Sequence, residues 1–283
     1  MFEEKFEIPL TTINTEAVFD NIRDNSKYIN FKLIQGVYAP VHAEDGGSAR
    51  PFKYDYNQRE YYDLIERLSR ETRVVITFPY GDADTIRKYA ELGARKFMVS
   101  EWREEYRPLQ EEGVEIVRSI VGNAYNTELD ERFGSMVVPY RYMLNIDRLK
   151  ELSKKFKLTI IPDHFCKVNC RNLDAHCQHH IKKENRYTKN FNLPCPEGRS
   201  FFIPREVLVR LLPYVDTVKL VGRFGPPDFY ENRLNYYVYG EPLDTGRDNR
   251  NYQPAKIANK YSFSNLVSLR CEFECHKCTA KCF

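Results

Sequence analysis

The sequence has no cysteine in its first 165 residues, and all eight of its cysteines lie in residues 166–283. It also lacks any run of about 18 apolar residues, so no membrane-spanning helix is expected. Its first twenty residues mix acidic and apolar side chains and lack the basic start and apolar centre of a secretory signal. We therefore expect a cytoplasmic protein, where clustered cysteines bind metal more often than they form disulfides.

Several catalytic motifs are also missing. The chain contains no nucleophile elbow, phosphate-binding loop, dinucleotide fingerprint or His-Glu-x-x-His motif, so a protease mechanism has no residues to support it. A formal net charge of +3, from 43 Lys plus Arg and 40 Asp plus Glu, indicates no particular partner. With 42% hydrophobic and 29% charged residues, the composition is typical of a soluble globular protein.

Short runs rich in Val, Ile and Phe alternate with helical patterns about seven times, which predicts βαβ units and a parallel sheet. We expect an α/β fold, a TIM-like (β/α) barrel over residues 1–260, with a doubly wound sheet as the alternative. A cysteine-rich insertion (163–200) and a cysteine-rich tail (261–283) are added to it, and residues 222–260 are expected to form a loop. The predicted strands are 31–39, 74–78, 96–100, 115–121, 136–140, 158–162 and 217–221, and the predicted helices are 57–70, 82–92, 103–112, 147–156 and 204–212.

The first cysteine group directly follows a predicted strand. In a parallel barrel, a loop at that point opens onto the face where active sites lie. Three, six and seventeen residues separate its successive members. Paired zinc ligands usually have two to four residues between them, so the spacing favours an iron-sulfur cluster and leaves a structural zinc as the alternative. The group consists of Cys166, Cys170, Cys177 and Cys195.

The second cysteine group spans twelve residues near the end of the sequence. Four thiolates this close together indicate a metal centre, either a closed iron-sulfur cluster or a structural zinc. Whether the two groups hold separate centres, or share a ligand, stays open at this point. This group consists of Cys271, Cys275, Cys278 and Cys282.

Polar residues in the first cysteine segment are candidates for chemistry. Asp163, His164 and His176 would serve as catalytic groups that move protons or contact cluster sulfur, and the alternative is a solvated polar loop. Strand alternation puts Lys219 and Arg223 on one face, where two cations suit a carboxylate or phosphate. The alternative for them is a salt bridge to an acid on a neighbouring strand. Arg50, in the first predicted βα loop with His42, Glu44 and Asp45, is a weaker candidate for substrate binding.

Aromatic and basic residues alternate late in the chain, which suggests either a stacking surface for single-stranded RNA or ordinary packing over the barrel. A balanced net charge favours packing, because nucleic-acid binders usually carry a clear basic excess. The residues concerned are Tyr236, Tyr237, Tyr239, Tyr252, Arg233, Arg247 and Arg250.

Three segments resemble the collagenase-like peptidase family, "U thirty-two" in peptidase nomenclature. They are LTIIPDHFCKVNC (158–170), RSFFIPREVLVRLLPYVDTVKLVGR (199–223) and the four-cysteine tail. The resemblance implies a TIM-like barrel with a 4Fe-4S cluster bound near the Cys166–Cys195 segment. It also implies oxygen-independent hydroxylation of a small-molecule or RNA substrate, with a separate electron donor.

The sequence thus predicts an iron-sulfur oxidoreductase. The competing hypothesis is a non-enzymatic protein in which two structural zinc ions stabilise a barrel that binds RNA or a protein partner. A further alternative is the peptidase activity that the family name suggests. Metal identity separates the first two hypotheses.

Overall fold

The computed structural model describes residues 2–10, 31–46, 56–120, 128–139, 142–164, 201–220 and 227–242. Ten strands lie in these ranges, and eight of them form a closed parallel barrel in the order β1-β2-β3-β4-β5-β6-β7-β10. Because β10 pairs with both β7 and β1, the barrel closes, which confirms the predicted TIM-like barrel and excludes the open doubly wound sheet. The strands are β1 (Phe6–Pro9), β2 (Ile34–Pro40), β3 (Val74–Thr77), β4 (Lys96–Val99), β5 (Glu115–Arg118), β6 (Ser135–Val137), β7 (Lys157–Ile160), β8 (Asp163–His164), β9 (Phe201–Phe202) and β10 (Thr217–Lys219).

Six α-helices lie in the described ranges, and local sequence explains their starts. Asn57 and Glu60 form a reciprocal capping box before the first helix, and the Asp82 carboxylate accepts the Thr85 backbone N–H at 2.7 Å before the second. None of these helices is long and apolar enough to cross a membrane. The helices are α1 (Gln58–Glu71), α2 (Ala83–Glu91), α3 (Arg107–Glu111), α4 (Ile146–Leu152), α5 (Arg205–Leu211) and α6 (Pro227–Tyr239).

The barrel strands are buried on both faces, as expected for parallel strands covered by helices. The backbones of β2 and of the residue before β3 approach each other closely at Gly36. A Cβ at Gly36 would lie 2.7 Å from the carbonyl oxygen of Arg73, so glycine permits the spacing between β2 and the start of β3.

Four elements differ from the sequence prediction: the strands β1, β8 and β9 and the helix α6. Strand β1 was not predicted, and α6 replaces a loop that was expected over residues 222–260. Strand β1 closes the barrel by pairing with β10 and β2, and α6 packs against β1, with 6.4 Å between the ring centroids of Phe6 and Tyr237. The predicted loop is therefore wrong for residues 227–239, because tertiary contacts with β1 give this polar, tyrosine-rich stretch a buried face.

Candidate functional site

The described residues on either side of the first cysteine segment lie at one place on the barrel. Strand β8 starts three residues after β7 ends, and it pairs with β9 in antiparallel fashion through Asp163–Phe202 and His164–Phe201. The Ile203 backbone N–H also donates to the Pro162 carbonyl at 2.7 Å. The two strands that flank segment 165–200 therefore lie side by side at the carboxyl end of β7, the face where TIM-barrel active sites are built.

Most of the predicted site residues lie outside the described residues. All eight cysteines belong to this group, together with His176, Arg223 and Arg50. Within the described ranges, no group of three or more His, Cys, Asp or Glu side chains is placed to hold a metal ion.

Lys219 is the predicted substrate-binding residue whose side chain the structure describes. It ends β10, is 6% exposed and points into the barrel. Its Nζ lies 2.9 Å from the Met98 Sδ on β4 and 3.9 Å from the centroid of the Tyr38 ring on β2. The Tyr38 hydroxyl in turn donates to the Leu220 carbonyl at 2.7 Å, which fixes the ring beside the lysine.

A buried ion pair lies next to Lys219, and sequence reasoning missed it. Glu7 on β1 is fully buried, and its Oε1 accepts a hydrogen bond from the Lys96 Nζ on β4 at 2.7 Å. Strand β1 pairs with β10 so that Glu7 and Lys219 are register partners. The other carboxylate oxygen, Glu7 Oε2, is buried and has no hydrogen-bond partner among the described residues.

Towards the amino end of the barrel, a second carboxylate is more fully paired. Glu115 on β5 forms an ion pair with Arg73 and accepts the Ser135 hydroxyl at 2.8 Å. Burial alone raises the pKa of Glu115, but the nearby Lys96, Ser135 and Arg73 outweigh it and hold this pKa below its ordinary value. Lys96 therefore lies between the carboxylates of Glu7 and Glu115. Of these two, only Glu7 keeps an oxygen without a hydrogen-bond partner in the described part of the chain.

The sequence contains one indication that charged side chains lie inside the barrel. Strands β1, β4 and β10 are each mostly apolar or small, and each carries one charged residue: Glu7, Lys96 and Lys219. A single charge in a strand buried on both faces has to find its partner inside the barrel. The signal indicates buried polar positions, but it does not identify which strands face one another.

The first βα loop contains a carboxylate that is engaged from several sides. The Asp45 side chain is 6% exposed and accepts hydrogen bonds from Tyr62 at 2.7 Å, Tyr89 at 2.9 Å, Lys88 at 2.9 Å and Gln58 at 2.8 Å. Burial raises the pKa of Asp45, but the hydrogen bonds from Tyr62, Lys88 and Tyr89 outweigh it, so this pKa lies below 3.8. These contacts fix the loop to α1 and α2, which is a structural role.

His42, in the same loop, also stabilises the turn. Its Nδ1 accepts the Glu44 backbone N–H at 3.3 Å, and its own backbone N–H donates to the Tyr89 hydroxyl at 2.7 Å. The loop is thus held from both sides before residues 47–55, which lie outside the described residues and include Arg50.

Helix α6 buries two of the seven residues that suggested an RNA-stacking surface. Tyr237 is fully buried against Phe6, and Arg233 is 3% exposed. The Tyr236 hydroxyl accepts the Arg205 backbone N–H at 3.2 Å. These side chains pack the helix onto the barrel, whereas Tyr239 is 59% exposed. Tyr252, Arg247 and Arg250 lie outside the described residues.

No protein-family model matches the chain, and no curated protein matches it. Among solved structures, the chain is similar to the tryptophan synthase A-subunit of Pyrococcus furiosus. The two are 12% identical, with a TM-score of 0.43, over 92% of this chain and 97% of that chain. It is also similar to the structure described as native KDPGal, with 8% identity and a TM-score of 0.40 over 90% and 94% of the two chains. At these values neither likeness bears on activity, and the barrel assignment rests on the closed order of the strands.

Proposed function

We propose that the chain is an iron-sulfur oxidoreductase with its first cluster held by Cys166, Cys170, Cys177 and Cys195 beside the carboxyl end of the barrel. The observation that supports this most is the pairing of β8 with β9, because these two strands flank segment 165–200 and lie at the carboxyl end of β7. A long connection with little apolar content gains order from coordination, and four thiolates satisfy a four-ligand centre.

The donor set fits the proposed cofactor. Thiolates are soft ligands that suit iron-sulfur clusters and zinc, and the wide spacing within the first group favours a 4Fe-4S cluster. A bound cluster would supply one-electron chemistry at the barrel mouth. The second group would hold a second centre through Cys271, Cys275, Cys278 and Cys282, with zinc as the alternative at either site.

The reaction class we propose is oxygen-independent hydroxylation of a small-molecule or RNA substrate in the cytoplasm, with electrons from a separate donor. The resemblance of segments 158–170 and 199–223 to the collagenase-like peptidase family supports this class. In the proposal Asp163, His164 and His176 move protons. Lys219, Arg223 and Arg50 bind the anionic part of the substrate, and the inward position of Lys219 agrees with that role.

The test is anaerobic purification followed by a visible absorption spectrum and iron, sulfide and zinc analysis on one sample. We expect brown protein with matching iron and sulfide. The Cys166→Ser/Cys170→Ser variant should lose the iron of the first centre, and Cys271→Ser/Cys275→Ser serves as the matched control because it removes the same number of thiols from the other group. Removal of all iron by either variant would indicate one shared centre.

Colourless protein that contains only zinc would overturn the redox proposal and favour the zinc-stabilised binding protein. Full iron retention in Cys166→Ser/Cys170→Ser would overturn the ligand assignment. Peptide cleavage that survives complete removal of metal would instead support the peptidase alternative.

A further inference from the structure

Tyr38 connects two barrel strands that are not neighbours. It lies on β2, is 2% exposed, and its ring centroid lies 3.9 Å from the Lys219 Nζ on β10. Its hydroxyl donates to the carbonyl of Leu220, the residue after β10, at 2.7 Å. Because β1 lies between β2 and β10 in the barrel, both contacts reach across β1. One side chain of β2 thus contacts a side chain and a backbone group at the carboxyl end of β10.

The ring contact fixes the position of a flexible side chain. Lysine carries its ammonium group on a four-carbon stem, and holding that stem in one conformation costs rotamer entropy. The face of an aromatic ring attracts a cation within about 6 Å, and more strongly where water is excluded. Lys219 is 6% exposed, so water competes little with the Tyr38 ring. A lysine that is held in place before an anion arrives loses less entropy on binding.

The hydroxyl contact fixes the backbone directly after β10. The Leu220 N–H donates to the Glu7 carbonyl at 2.9 Å, and the Leu220 carbonyl accepts the Tyr38 hydroxyl. Leu220 is therefore hydrogen-bonded on both sides. Residues 221–226, which follow it and include Arg223, lie outside the described residues. A phenylalanine at position 38 would supply the ring without this second contact, so substitution can separate the two contacts of Tyr38.

We infer that Tyr38 is a positioning residue for the proposed anion-binding role of Lys219. Its ring holds the ammonium group of Lys219, and its hydroxyl holds the backbone at Leu220. Tyr38 acts through these two residues and not by contact with the substrate. The inference rests on the proposed function for what Lys219 binds, whereas the positioning itself is tested without a ligand.

The position of the lysine is measured by NMR on the full chain, purified anaerobically with isotope-labelled lysine. Protons above the face of an aromatic ring are shielded, so the ε-methylene protons of Lys219 should resonate upfield of those of exposed lysines. Lys219→Met identifies this signal by its loss. The upfield shift should persist in Tyr38→Phe, which keeps the ring, and should be lost in Tyr38→Leu, which removes it.

The backbone contact is measured by hydrogen exchange at the Leu220 amide. Tyr38→Phe removes the hydroxyl that holds the Leu220 carbonyl, so this amide should exchange about fivefold faster, the ratio that about 1 kcal/mol produces. Tyr61→Phe is the matched control, because it removes a hydroxyl that donates to a different carbonyl at a strand end, that of Pro40, at 2.5 Å. The control should leave the Lys219 signal and the exchange of the Leu220 amide unchanged.

Each contact can fail separately. An upfield signal that survives in Tyr38→Leu, or that is absent from the wild type, would overturn the positioning of Lys219 by the ring. If Tyr38→Leu does not fold, the wild type and Tyr38→Phe still decide, because the ring contact requires the upfield signal in both. Unchanged exchange at Leu220 in Tyr38→Phe, or an equal change in Tyr61→Phe, would overturn the role of the hydroxyl.

Iron analysis on the same samples separates this result from the proposed function. Both expected results in protein without iron would support positioning by Tyr38 and overturn the cluster. Bound iron without an upfield Lys219 signal would support the cluster and overturn the positioning role.

Discussion

Asp45 and Glu7 are two buried carboxylates, each ion-paired with a lysine, and they differ in how fully their oxygens are used. Asp45, in the first βα loop, accepts hydrogen bonds on both oxygens from four side chains. Glu7, inside the barrel, accepts one hydrogen bond, from Lys96, and its second oxygen is unused among the described residues. A carboxylate whose two oxygens are both hydrogen-bonded stabilises the structure around it, whereas one with an unused oxygen can still accept a further hydrogen bond.

The lysine partners differ in exposure as well. The Lys96 side chain is 3% exposed and the Lys88 side chain is 44% exposed. Removal of Lys96 leaves the Glu7 charge without a described donor, whereas removal of the solvated Lys88 leaves Asp45 with the donors Gln58, Tyr62 and Tyr89. The same substitution at the two lysines therefore measures how much burial changes the value of an ion pair.

The largest expected effect follows from Lys96→Met. It leaves the Glu7 carboxylate buried with no cation on Oε1, and the free energy of unfolding should fall by about 3–5 kcal/mol. Urea unfolding followed by circular dichroism measures this loss. If Glu7→Met/Lys96→Met does not recover most of the lost stability, the unpaired charge is not the cause.

The barrel was predictable from sequence because seven of its strands are apolar runs separated by helical patterns. Strand β1 was missed because it has four residues and one of them is Glu7, whose burial depends on Lys96 almost ninety residues away. Helix α6 was missed for a similar reason. Its buried positions include Arg233 and Tyr237 beside Leu234, so the stripe that faces the barrel does not look apolar in sequence.

The candidate site was predictable in part. Strand alternation put Lys219 on one face with Arg223, which lies outside the described residues, and the residue types suggested anion binding. Its neighbours Tyr38 and Met98 lie on strands β2 and β4, and barrel closure alone brings them together. Alternation within one strand carries no information about closure, so neither these contacts nor the unused Glu7 oxygen was accessible from the sequence.

An intermediate effect is expected for Asp45→Asn. The asparagine keeps one acceptor oxygen and presents an NH₂ group in place of the other, so either Tyr89 or both Gln58 and Lys88 lose their acceptor, while Tyr62 keeps one. The free energy of unfolding should fall by about 1–3 kcal/mol, the usual cost of an unsatisfied polar group. A change of less than a few tenths of a kcal/mol would show that the four contacts do not hold the loop.

The same variant isolates a pH dependence. The pKa of Asp45 lies below its ordinary value of 3.8 in the folded chain, so as pH falls the unfolded state takes up the proton first. The stability advantage of wild type over Asp45→Asn should therefore be complete above about pH 5 and should shrink as the pH falls below 3.8. Unfolding curves for both proteins between pH 7 and pH 3 measure this difference, and a constant difference would contradict the assignment.

The smallest effect is expected for Lys88→Met, the exposed counterpart of Lys96→Met. Lys88 donates to Asp45 at 2.9 Å and lies 4.5 Å from the Tyr62 ring centroid, but its side chain is 44% exposed. Water competes for the Lys88 ammonium group, and Asp45 keeps its tyrosine and glutamine donors, so the loss should be about 0–1 kcal/mol. It should shrink further at high salt, whereas the loss in Lys96→Met should change little because burial limits screening. Equal losses of stability in the two variants would show that burial does not set the strength of these ion pairs. The number of hydrogen bonds that each carboxylate accepts would then not explain how much its lysine contributes to stability.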